Sequence, residues 1–383
     1  MSFPKVLIAV DKFKGSLSGV ELSEAIATGM RRQLGEGFQP RICPIADGGD
    51  GTVDAALAAG FDEITAEVTG PLGEPVQARF AYETSTRAAV IEVAEACGLW
   101  RLESDQLDTW NATTFGVGEL ILAALDSGAR SIALGLGGSA TTDAGAGMLS
   151  ALGAVIEDDA GARLIHGGGA LLGAASVDVS GLDSRLADIE LTIACDVTNP
   201  LCGDRGAAAV YGPQKGASPE QVAELDQALK QFSNLLELSL NVSRGTFANQ
   251  QGAGAAGGLG FAALALGGKM RPGIDLCFEL TGFNQALKGT EVVITGEGKL
   301  DEQTLSGKGP AGVAAAGQKE GAVVYAICGS RELTAEQAQE AGFSRTYAVL
   351  DLGISLEESL ANPRPYVEKL GQQLAQDLTA QPG

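Results

Sequence analysis

The stretch SIALGLGGSATTDAGAG, residues 131–147, carries the local pattern that decides the fold. A short apolar run is followed by a glycine-rich turn and then by a helical pattern. Thr141, Thr142 and Asp143 are residue types that cap helix N-termini, so we expect a helix to begin at Asp143. A strand that passes through a tight turn into a helix is typical of parallel sheets in α/β proteins.

Residues 135–143, called the glycine turn below, form a candidate anion site. Gly135, Gly137 and Gly138 lack side chains, so backbone N–H groups can converge on one ligand. The N-terminus of the following helix adds a partial positive charge. The glycine turn is therefore predicted to bind phosphate, and a plain tight turn between strand and helix is the alternative.

A dinucleotide site is a second alternative for the same segment. The letters GLGGSA at 135–140 match a relaxed dinucleotide-binding pattern, and the next predicted strand, 154–157, ends in Glu157 as a ribose-binding carboxylate would. A further match, GAGAAG at 252–257, follows no predicted strand and is weak. No GxxxxGK[ST] pattern occurs, so any nucleotide is bound by another kind of loop.

Both ends of the chain carry strands that alternate with helices. Helical patterns separate five β-branched runs, at residues 5–10, 41–46, 291–295, 322–327 and 346–350. Strands joined in this way form right-handed crossovers, so we expect an α/β fold with a doubly wound parallel sheet of flavodoxin-like kind. This domain is predicted to comprise residues 1–60 and 285–383. Residues 61–284 are predicted to form a larger inserted domain of mixed α/β structure that begins with antiparallel strands.

The net charge and the single histidine limit the kinds of partner and the catalytic mechanisms that we expect. The chain has 383 residues, with 26 Lys+Arg against 48 Asp+Glu and a formal charge of −22, which argues against nucleic acid as a partner. Catalytic triads, Cys-His pairs and multi-histidine metal sites need imidazole, and only His166 offers one. We expect His166 to lie in a loop, which leaves proton transfer to carboxylates and lysines.

The cysteines and the apolar runs indicate a compartment. Six cysteines lie far apart without a CxxC pair, so we expect reduced thiols rather than a zinc or redox site. The N-terminal apolar run is too short for a signal peptide, and no stretch is long enough to span a bilayer. We therefore expect a cytoplasmic protein without a membrane partner.

Carboxylates follow the predicted strands where an open α/β sheet binds its ligands. The five aspartates in such positions are Asp11, Asp47, Asp50, Asp196 and Asp301. Grouped carboxylates could hold Mg²⁺ together with phosphate oxygens, or deprotonate a hydroxyl. The alternative for any one of them is a helix cap or an Asx turn.

Lysines recur in glycine-bearing loops of this acidic chain. These residues are Lys12, Lys14, Lys215, Lys299 and Lys308. A lysine on such a loop suits a phosphate or carboxylate ligand as a point charge, whereas a solvated surface position is the alternative for each.

Seven motifs, in chain order, resemble those of the bacterial glycerate kinases of type 1: VLIAVDKFKGSLSG (6–19), ADGGDGT (46–52), GLGGSATTDAGAGML (135–149), CDVTNPLCG (195–203), GPQKG (212–216), GAGAAGGLG (252–260) and TGEGKLDEQT (295–304). The resemblance spans nearly the whole chain. It implies ATP-dependent phosphorylation of D-glycerate with Mg²⁺, usually at the 2-hydroxyl to give 2-phosphoglycerate, with 3-phosphoglycerate as the less favoured product. It also implies a flavodoxin-like domain with a larger inserted domain.

Physical reasoning then gives each candidate residue a hypothetical role. ATP would be bound by Gly137, Gly138, Ser139, Thr141 and Lys215. Asp196 or Asp47 would accept the glycerate proton or hold Mg²⁺, and Lys12 would pair with the transferred phosphate. Substrate would be bound by Lys14, Asp50, Lys299 and Asp301. We expect the active site in a cleft between the domains, where closure excludes water.

Two other classes of function remain as alternatives. An NAD(P)-dependent dehydrogenase of a small hydroxy acid would use the glycine turn and Glu157. A sugar-acid sensor without catalysis would bind glycerate and leave ATP intact. In each case we expect small molecules as partners. A homodimer is a further possibility that the sequence does not decide.

Overall fold

The computed structural model describes residues 3–46, 48–164, 167–306 and 309–380. The chain divides into two compact units. The first unit comprises Met1–Asp47, Asp54–Gly60 and Gly273–Gly383, and the second comprises Gly48–Val53 and Phe61–Pro272. These units are defined by packing, and the domain bounds expected from the sequence stay a prediction.

The strands of the described residues, in chain order, are β1 (Val6–Val10), β2 (Arg41–Ile42), β3 (Asp62–Thr69), β4 (Pro75–Glu83), β5 (Ala88–Glu92), β6 (Ser131–Gly135), β7 (Val155–Glu157), β8 (Ser176–Asp178), β9 (Glu190–Ala194), β10 (Lys269–Arg271), β11 (Val292–Gly296), β12 (Lys299–Leu300), β13 (Val323–Cys328), β14 (Ser330–Arg331) and β15 (Arg345–Ala348). The α-helices are α1 (Gly19–Leu34), α2 (Thr52–Ala58), α3 (Val93–Cys97), α4 (Phe115–Asp126), α5 (Ala146–Ala151), α6 (Ala207–Tyr211), α7 (Pro219–Ser239), α8 (Ala255–Ala265), α9 (Gly273–Leu280), α10 (Phe283–Leu287), α11 (Pro310–Lys319), α12 (Ala335–Glu340), α13 (Leu356–Ala361) and α14 (Arg364–Ala380).

The first unit contains a five-stranded parallel sheet in the order β2-β1-β11-β13-β15. Alternate residues of β1 enter two different hydrophobic clusters, with Leu7 and Ala9 in one and Val6, Ile8 and Val10 in the other. The sheet is therefore covered on both faces, which is why its strands are apolar throughout. The strand order is that of a flavodoxin-like doubly wound sheet, so the predicted α/β fold class is confirmed.

The second predicted strand, 41–46, is shorter than expected. Regular pairing ends at Ile42, although the N–H groups of Cys43 and Ile45 still donate to the carbonyls of Ile8 and Val10 at 2.8 and 3.1 Å. The segment therefore continues alongside β1 without forming a regular strand.

The second unit contains a six-stranded mixed sheet in the order β10-β9-β6-β5-β4-β3. Strands β5, β6, β9 and β10 run parallel, whereas β3, β4 and β5 form the antiparallel meander that the sequence predicts. One large hydrophobic cluster lies in this unit. It is thus a mixed α/β structure.

The position of β7 contradicts the dinucleotide interpretation. β7 pairs antiparallel with β8 in a separate two-stranded sheet, while both edges of β6 are occupied by β5 and β9. Glu157 therefore ends a strand that is not a neighbour of β6, and it cannot act as the ribose-binding acid of that motif. The expectation of a dehydrogenase built on the glycine turn and Glu157 is wrong.

The start of the helix after the glycine turn also differs from the prediction. α5 begins at Ala146, three residues beyond Asp143, because Ala144 and Gly145 adopt left-handed backbone conformations with φ of 52° and 73°. These φ values interrupt a right-handed helix. Asp143 is left inside the loop, fully buried.

All six cysteines are free thiols, as expected. Among the described residues, no helix is both long enough and apolar enough to cross a membrane.

Candidate active site

Three parallel strands of the second sheet end side by side. Glu92 of β5 is in register with Gly135 of β6, which is in register with Ala194 of β9. The glycine turn leaves β6 between its two neighbours, and Asp196 follows β9 by two residues. The carboxyl edge of the sheet therefore places the glycine turn and Asp196 after adjacent strands.

A segment that follows α3 holds the glycine turn by backbone hydrogen bonds. Leu99 N–H donates to the carbonyl of Gly138 at 2.8 Å, and Ala140 N–H donates to the carbonyl of Cys97 at 2.8 Å. Gly98 and Ser139 form an antiparallel bridge between these two bonds. The glycine turn is thus paired like a strand along one side.

Asp143, the last residue of the glycine turn, anchors the turn by hydrogen bonds. Its carboxylate accepts hydrogen bonds from the N–H of Thr114 at 2.9 Å, the hydroxyl of Thr114 at 2.8 Å, and the N–H groups of Gly145 at 3.0 Å and Gly147 at 3.2 Å. Burial raises the pKa of this carboxyl, and the donated hydrogen bonds oppose that rise. Asp143 therefore links the starts of α4 and α5 to the turn.

Lys215 lies behind the glycine turn, and its side chain is only 3% exposed. Its ammonium donates to Ser139 Oγ at 3.1 Å and to the carbonyl of Thr141 at 2.7 Å. Burial lowers the pKa of Lys215 to about 8. A cation is thus fixed at the turn with little competing water.

The side chain of Thr141 is also enclosed. Its hydroxyl lies beside the thiol of Cys97, yet its oxygen makes no hydrogen bond of normal geometry with the described residues. Burial raises the pKa of Cys97 to about 12, so this thiol is not a nucleophile.

The glycine-rich segment 252–260 packs directly against the glycine turn. In the sequence, part of this segment was only a weak match to a dinucleotide-binding pattern. Ala256, Gly257 and Gly258 all have positive φ, and the carbonyl of Gly257 accepts from the N–H of Ala144 at 3.0 Å. A Cβ on Gly257 would overlap the carbonyl oxygen of Thr141. The run of small residues is therefore needed for close backbone approach.

Asp50 approaches the same turn from the segment 48–53. A Cβ on Gly138 would overlap Asp50 Oδ1, and a Cβ on Gly137 would overlap Gly49 Cα. Glu92, buried at the end of β5, accepts a hydrogen bond of 2.6 Å from Val53 N–H and anchors this segment. Sequence reasoning missed Glu92, although an acid that ends an otherwise apolar strand was a visible signal.

The first unit also has candidate site residues at the carboxyl edge of its parallel sheet. Val10 of β1 is in register with Gly296 of β11, and Asp11 N–H donates to the carbonyl of Gly296 at 2.8 Å. The segments that begin at Asp11 and at Gly296 therefore start together. They contain Lys12, Lys14, Lys299 and Asp301.

Two of these residues already have local partners. Lys299 Nζ lies 2.8 Å from Glu332 Oε1 and 3.6 Å from Asp301 Oδ2, and the hydrogen bond to Glu332 raises the pKa of Lys299. Asp301 Oδ1 accepts from Gln303 N–H at 2.9 Å, which is an Asx-type turn.

Comparison with known proteins identifies the family. The model of the Glycerate kinase family matches residues 6–379, which is nearly the whole chain. This chain belongs to the glycerate kinase family. Glycerate kinase of Bacillus subtilis (strain 168) is 43% identical over 373 residues, or 97% of each chain. Glycerate 2-kinase of Escherichia coli (strain K12) is 42% identical over 357 residues, or 93% of each chain.

A solved structure shares the fold of this glycerate kinase family member. The crystal structure provisionally named glycerate kinase 2 from Salmonella typhimurium LT2 is 41% identical, with a TM-score of 0.86 over 99% of both chains. The chain is accordingly an enzyme of the phosphotransferase class. The resemblance found in the seven motifs is confirmed.

The predicted site residues of this kinase fall into two groups, each at the carboxyl edge of one sheet. The second unit holds Asp50, Gly137, Gly138, Ser139, Thr141, Asp196 and Lys215. The first unit holds Lys12, Lys14, Lys299 and Asp301. Asp47, His166 and Lys308 lie outside the described residues, so their predicted roles stay predictions.

Proposed function

We propose that this enzyme transfers the γ-phosphoryl group of ATP to the 2-hydroxyl of D-glycerate, with Mg²⁺, and releases 2-phosphoglycerate. The observation that carries the proposal is the buried Lys215 ammonium, bonded to Ser139 and Thr141 of the glycine turn. Phosphoryl transfer needs chiefly positioning and charge neutralisation, which a site without histidine supplies. The relative named glycerate 2-kinase supports the 2-hydroxyl over the 3-hydroxyl.

The glycine turn is proposed to bind the ATP phosphates. Gly137 and Gly138 let phosphate oxygens approach the backbone, and the hydroxyls of Ser139 and Thr141 add donors. Lys215 supplies positive charge behind them in a site where burial weakens screening by water. Its pKa of about 8 leaves it mostly protonated at neutral pH.

The donor set fits Mg²⁺ held mainly by phosphate. No group of three His, Cys, Asp or Glu side chains suited to a metal occurs in the described part of the chain. Mg²⁺ usually needs only one or two carboxylates together with substrate phosphates and water. Asp196, which follows β9 beside the glycine turn, is the proposed protein ligand, with Asp47 as its predicted partner. When bound, Mg²⁺ neutralises phosphate charge.

Proton removal and substrate binding are proposed for the remaining candidates. Asp196 or Asp47 accepts the proton of the glycerate hydroxyl, while Lys12 and Lys14 pair with the transferred phosphate or with the glycerate carboxylate. Asp50, Lys299 and Asp301 remain proposed substrate ligands. Lys299 already pairs with Glu332. The expected interdomain location of the reaction also stays a prediction.

The direct test is to incubate the purified protein with ATP, Mg²⁺ and D-glycerate and to record ³¹P spectra of the product. Phosphate on the 2-hydroxyl couples to the single proton on C2 and gives a doublet, whereas phosphate on the 3-hydroxyl couples to a methylene and gives a triplet. Glycerate-free and ATP-free reactions are the controls. A triplet would reverse the regiochemistry, and bound glycerate with intact ATP would favour a sensor instead.

A further inference from the structure

The second unit has a pocket at the opposite end of its sheet from the glycine turn. Its volume is about 430 Å³, large enough for a small organic ion. Arg87 immediately precedes β5 and Arg130 immediately precedes β6, so both lie at the amino ends of these parallel strands. Tyr82, Arg87, Arg130 and Arg185 line the pocket. Three arginines therefore meet in one hollow of a protein whose net charge is −22.

The three guanidinium groups differ in the number of carboxylates with which they already pair. Arg185 already pairs with two carboxylates, because Asp183 accepts from its Nη2 at 2.7 Å and Asp126 accepts from its Nη1 at 2.8 Å. Arg130 has only a loose ion pair, 3.9 Å from Asp188, and Arg87 has no ion pair among the described residues. Two arginines thus have donors to spare.

The backbone holds these two arginines as neighbours. Arg130 N–H donates to the carbonyl of Arg87 at 2.8 Å, so both side chains leave adjacent points of the pocket wall. Arg87 also has a φ of 56°, a left-handed conformation that is unfavourable for a residue with a side chain. This conformation closes the turn between β4 and β5.

Tyr82 adds a hydroxyl donor. The residue is only 7% exposed, and its hydroxyl lies near Gly128 in the pocket wall. This hydroxyl lies on the accessible side of the residue and makes no hydrogen bond with the residues that the structure describes. It is therefore available to a ligand.

Three carbonyls in the last turn of α4 already accept hydrogen bonds. The N–H groups of Ser127, Gly128 and Ala129 donate to carbonyls of the last helical turn at 3.0 Å each. These bonds reduce, without cancelling, the negative potential of the helix C-terminus. The polar side chains that line the pocket all carry hydrogen-bond donors: Tyr82, Thr84, Ser127 and the three arginines.

We propose that this pocket binds a phosphate group, either as free phosphate or as a phosphate monoester. Arg87 and Arg130 donate to its oxygens and Tyr82 donates a third hydrogen bond, an arrangement suited to a compact dianion. The site is separate from the glycine turn and does not depend on the proposed reaction.

Calorimetric titration of the whole protein with sodium phosphate at low ionic strength tests the proposal. Arg87→Gln and Arg130→Gln should each raise the Kd for phosphate about tenfold or more, and Tyr82→Phe should raise it about threefold to tenfold, as expected for lost hydrogen bonds to a charged group. Arg244→Gln is the control, because Arg244 is exposed in the same unit and also lacks an ion pair among the described residues.

Phosphate binding with an unchanged Kd in Arg87→Gln belongs to another site, such as the glycine turn. A second titration of the wild-type protein with glycerol 3-phosphate separates the sources, since tighter binding of the ester than of phosphate identifies a monoester and tighter binding of phosphate identifies the free ion. Circular dichroism confirms that each variant is folded. Equal phosphate binding by wild type, Arg87→Gln and Tyr82→Phe would overturn the proposal, as would the lack of any saturable phosphate binding. The titrations do not measure kinase activity, so they test this pocket even if the proposed kinase reaction proves wrong.

Discussion

The ammonium of Lys215 donates a 2.7 Å hydrogen bond to the backbone carbonyl of Thr141, 74 residues away in the chain. Together with its bond to Ser139, this contact makes the cation part of the glycine turn rather than a mobile surface charge. The positive charge is thus already in place before any anion binds, which lowers the cost of organising the site.

Replacing Lys215 should therefore impair phosphate handling. We expect Lys215→Met to lower kcat/KM for ATP about 10²- to 10³-fold, the scale for removing one preorganised charge-stabilising donor. Steady-state kinetics measure this effect. Lys230→Met, which removes an exposed lysine of α7 in the same unit, is the control and should leave kcat/KM unchanged. Equal kinetics for the two variants would separate Lys215 from ATP binding.

The pKa of Lys215 predicts a pH dependence of stability. Burial lowers this pKa from 10.5 to about 8, so between these values the folded state binds fewer protons than the unfolded state. The free energy of unfolding contributed by this group must then rise with pH across that window. Below pH 8 the group is charged in both states, and its contribution no longer changes.

Denaturant unfolding of wild type and Lys215→Met at pH 7, 9 and 10.5 measures that contribution. The wild-type protein should gain roughly 2–3 kcal/mol relative to the variant between the ends of this range, at 1.36 kcal/mol per pKa unit. Titration of other groups largely cancels in the difference. A difference that is independent of pH would contradict a lowered pKa for Lys215.

Crowding the glycine turn should weaken ATP binding. A side chain on Gly138 meets Asp50 and Ala94, and the residue also has a φ of 71°. We expect Gly138→Val to raise the KM for ATP at least tenfold, because the turn must move away from Asp50. Gly161→Val is the matched control, since Gly161 has a φ of 76° and open space around it. Unaltered ATP affinity in Gly138→Val would remove the turn from the nucleotide site.

The contact between Gly257 and Thr141 can be tested through stability. Gly257→Ala combines a positive φ of 68° with overlap between the new Cβ and the Thr141 carbonyl, whereas Gly267→Ala has a φ of 87° and no neighbour within 4 Å. Gly267→Ala should cost about 1–2 kcal/mol from the backbone alone. Gly257→Ala should cost more and should also lower kcat/KM for ATP, because it displaces the acceptor of Lys215. Equal unfolding free energies for both variants would refute the close contact.

Local sequence patterns predicted the sheet of the first unit and the glycine turn because each is encoded in consecutive residues. The buried run of β1 and its following helix α1 predict a crossover wherever they lie in the chain. The same logic failed at Asp143, where the capping residues suggested a helix start. The left-handed φ values occur instead where Ala144 packs against Gly257 and Gly258, more than 100 residues later, and where Gly145 packs against Leu259 and Ala262.

Long-range contacts account for the other differences. The pattern GLGGSA followed by a strand that ends in Glu157 satisfies a dinucleotide motif locally, yet β9 occupies the place beside β6 that such a strand would need. The bond from Lys215 to Thr141 and the bond from Val53 to Glu92 also join distant segments. Only tertiary packing determines these bonds, so single-sequence patterns marked Lys215 and Thr141 as candidates without joining them and did not mark Glu92 at all.

Asp196 should separate catalysis from folding. It follows β9 at the carboxyl edge beside the glycine turn, and it is only partly buried. We expect Asp196→Asn to lower kcat at least 10²-fold, because an amide neither accepts the hydroxyl proton nor holds Mg²⁺ as a carboxylate does. The unfolding midpoint should change little, since the substitution preserves shape.

Asp204→Asn, an exposed change eight residues away in the same unit, supplies the matched control and should keep full turnover. Rate measurements across a range of Mg²⁺ concentrations divide the two roles proposed for Asp196. If the carboxylate holds Mg²⁺, excess metal restores part of the rate of Asp196→Asn. If it accepts the proton, the rate stays low at every metal concentration while ATP still binds. Near-normal turnover of Asp196→Asn at low Mg²⁺ would exclude both roles and would shift the chemistry to the other predicted acid, Asp47.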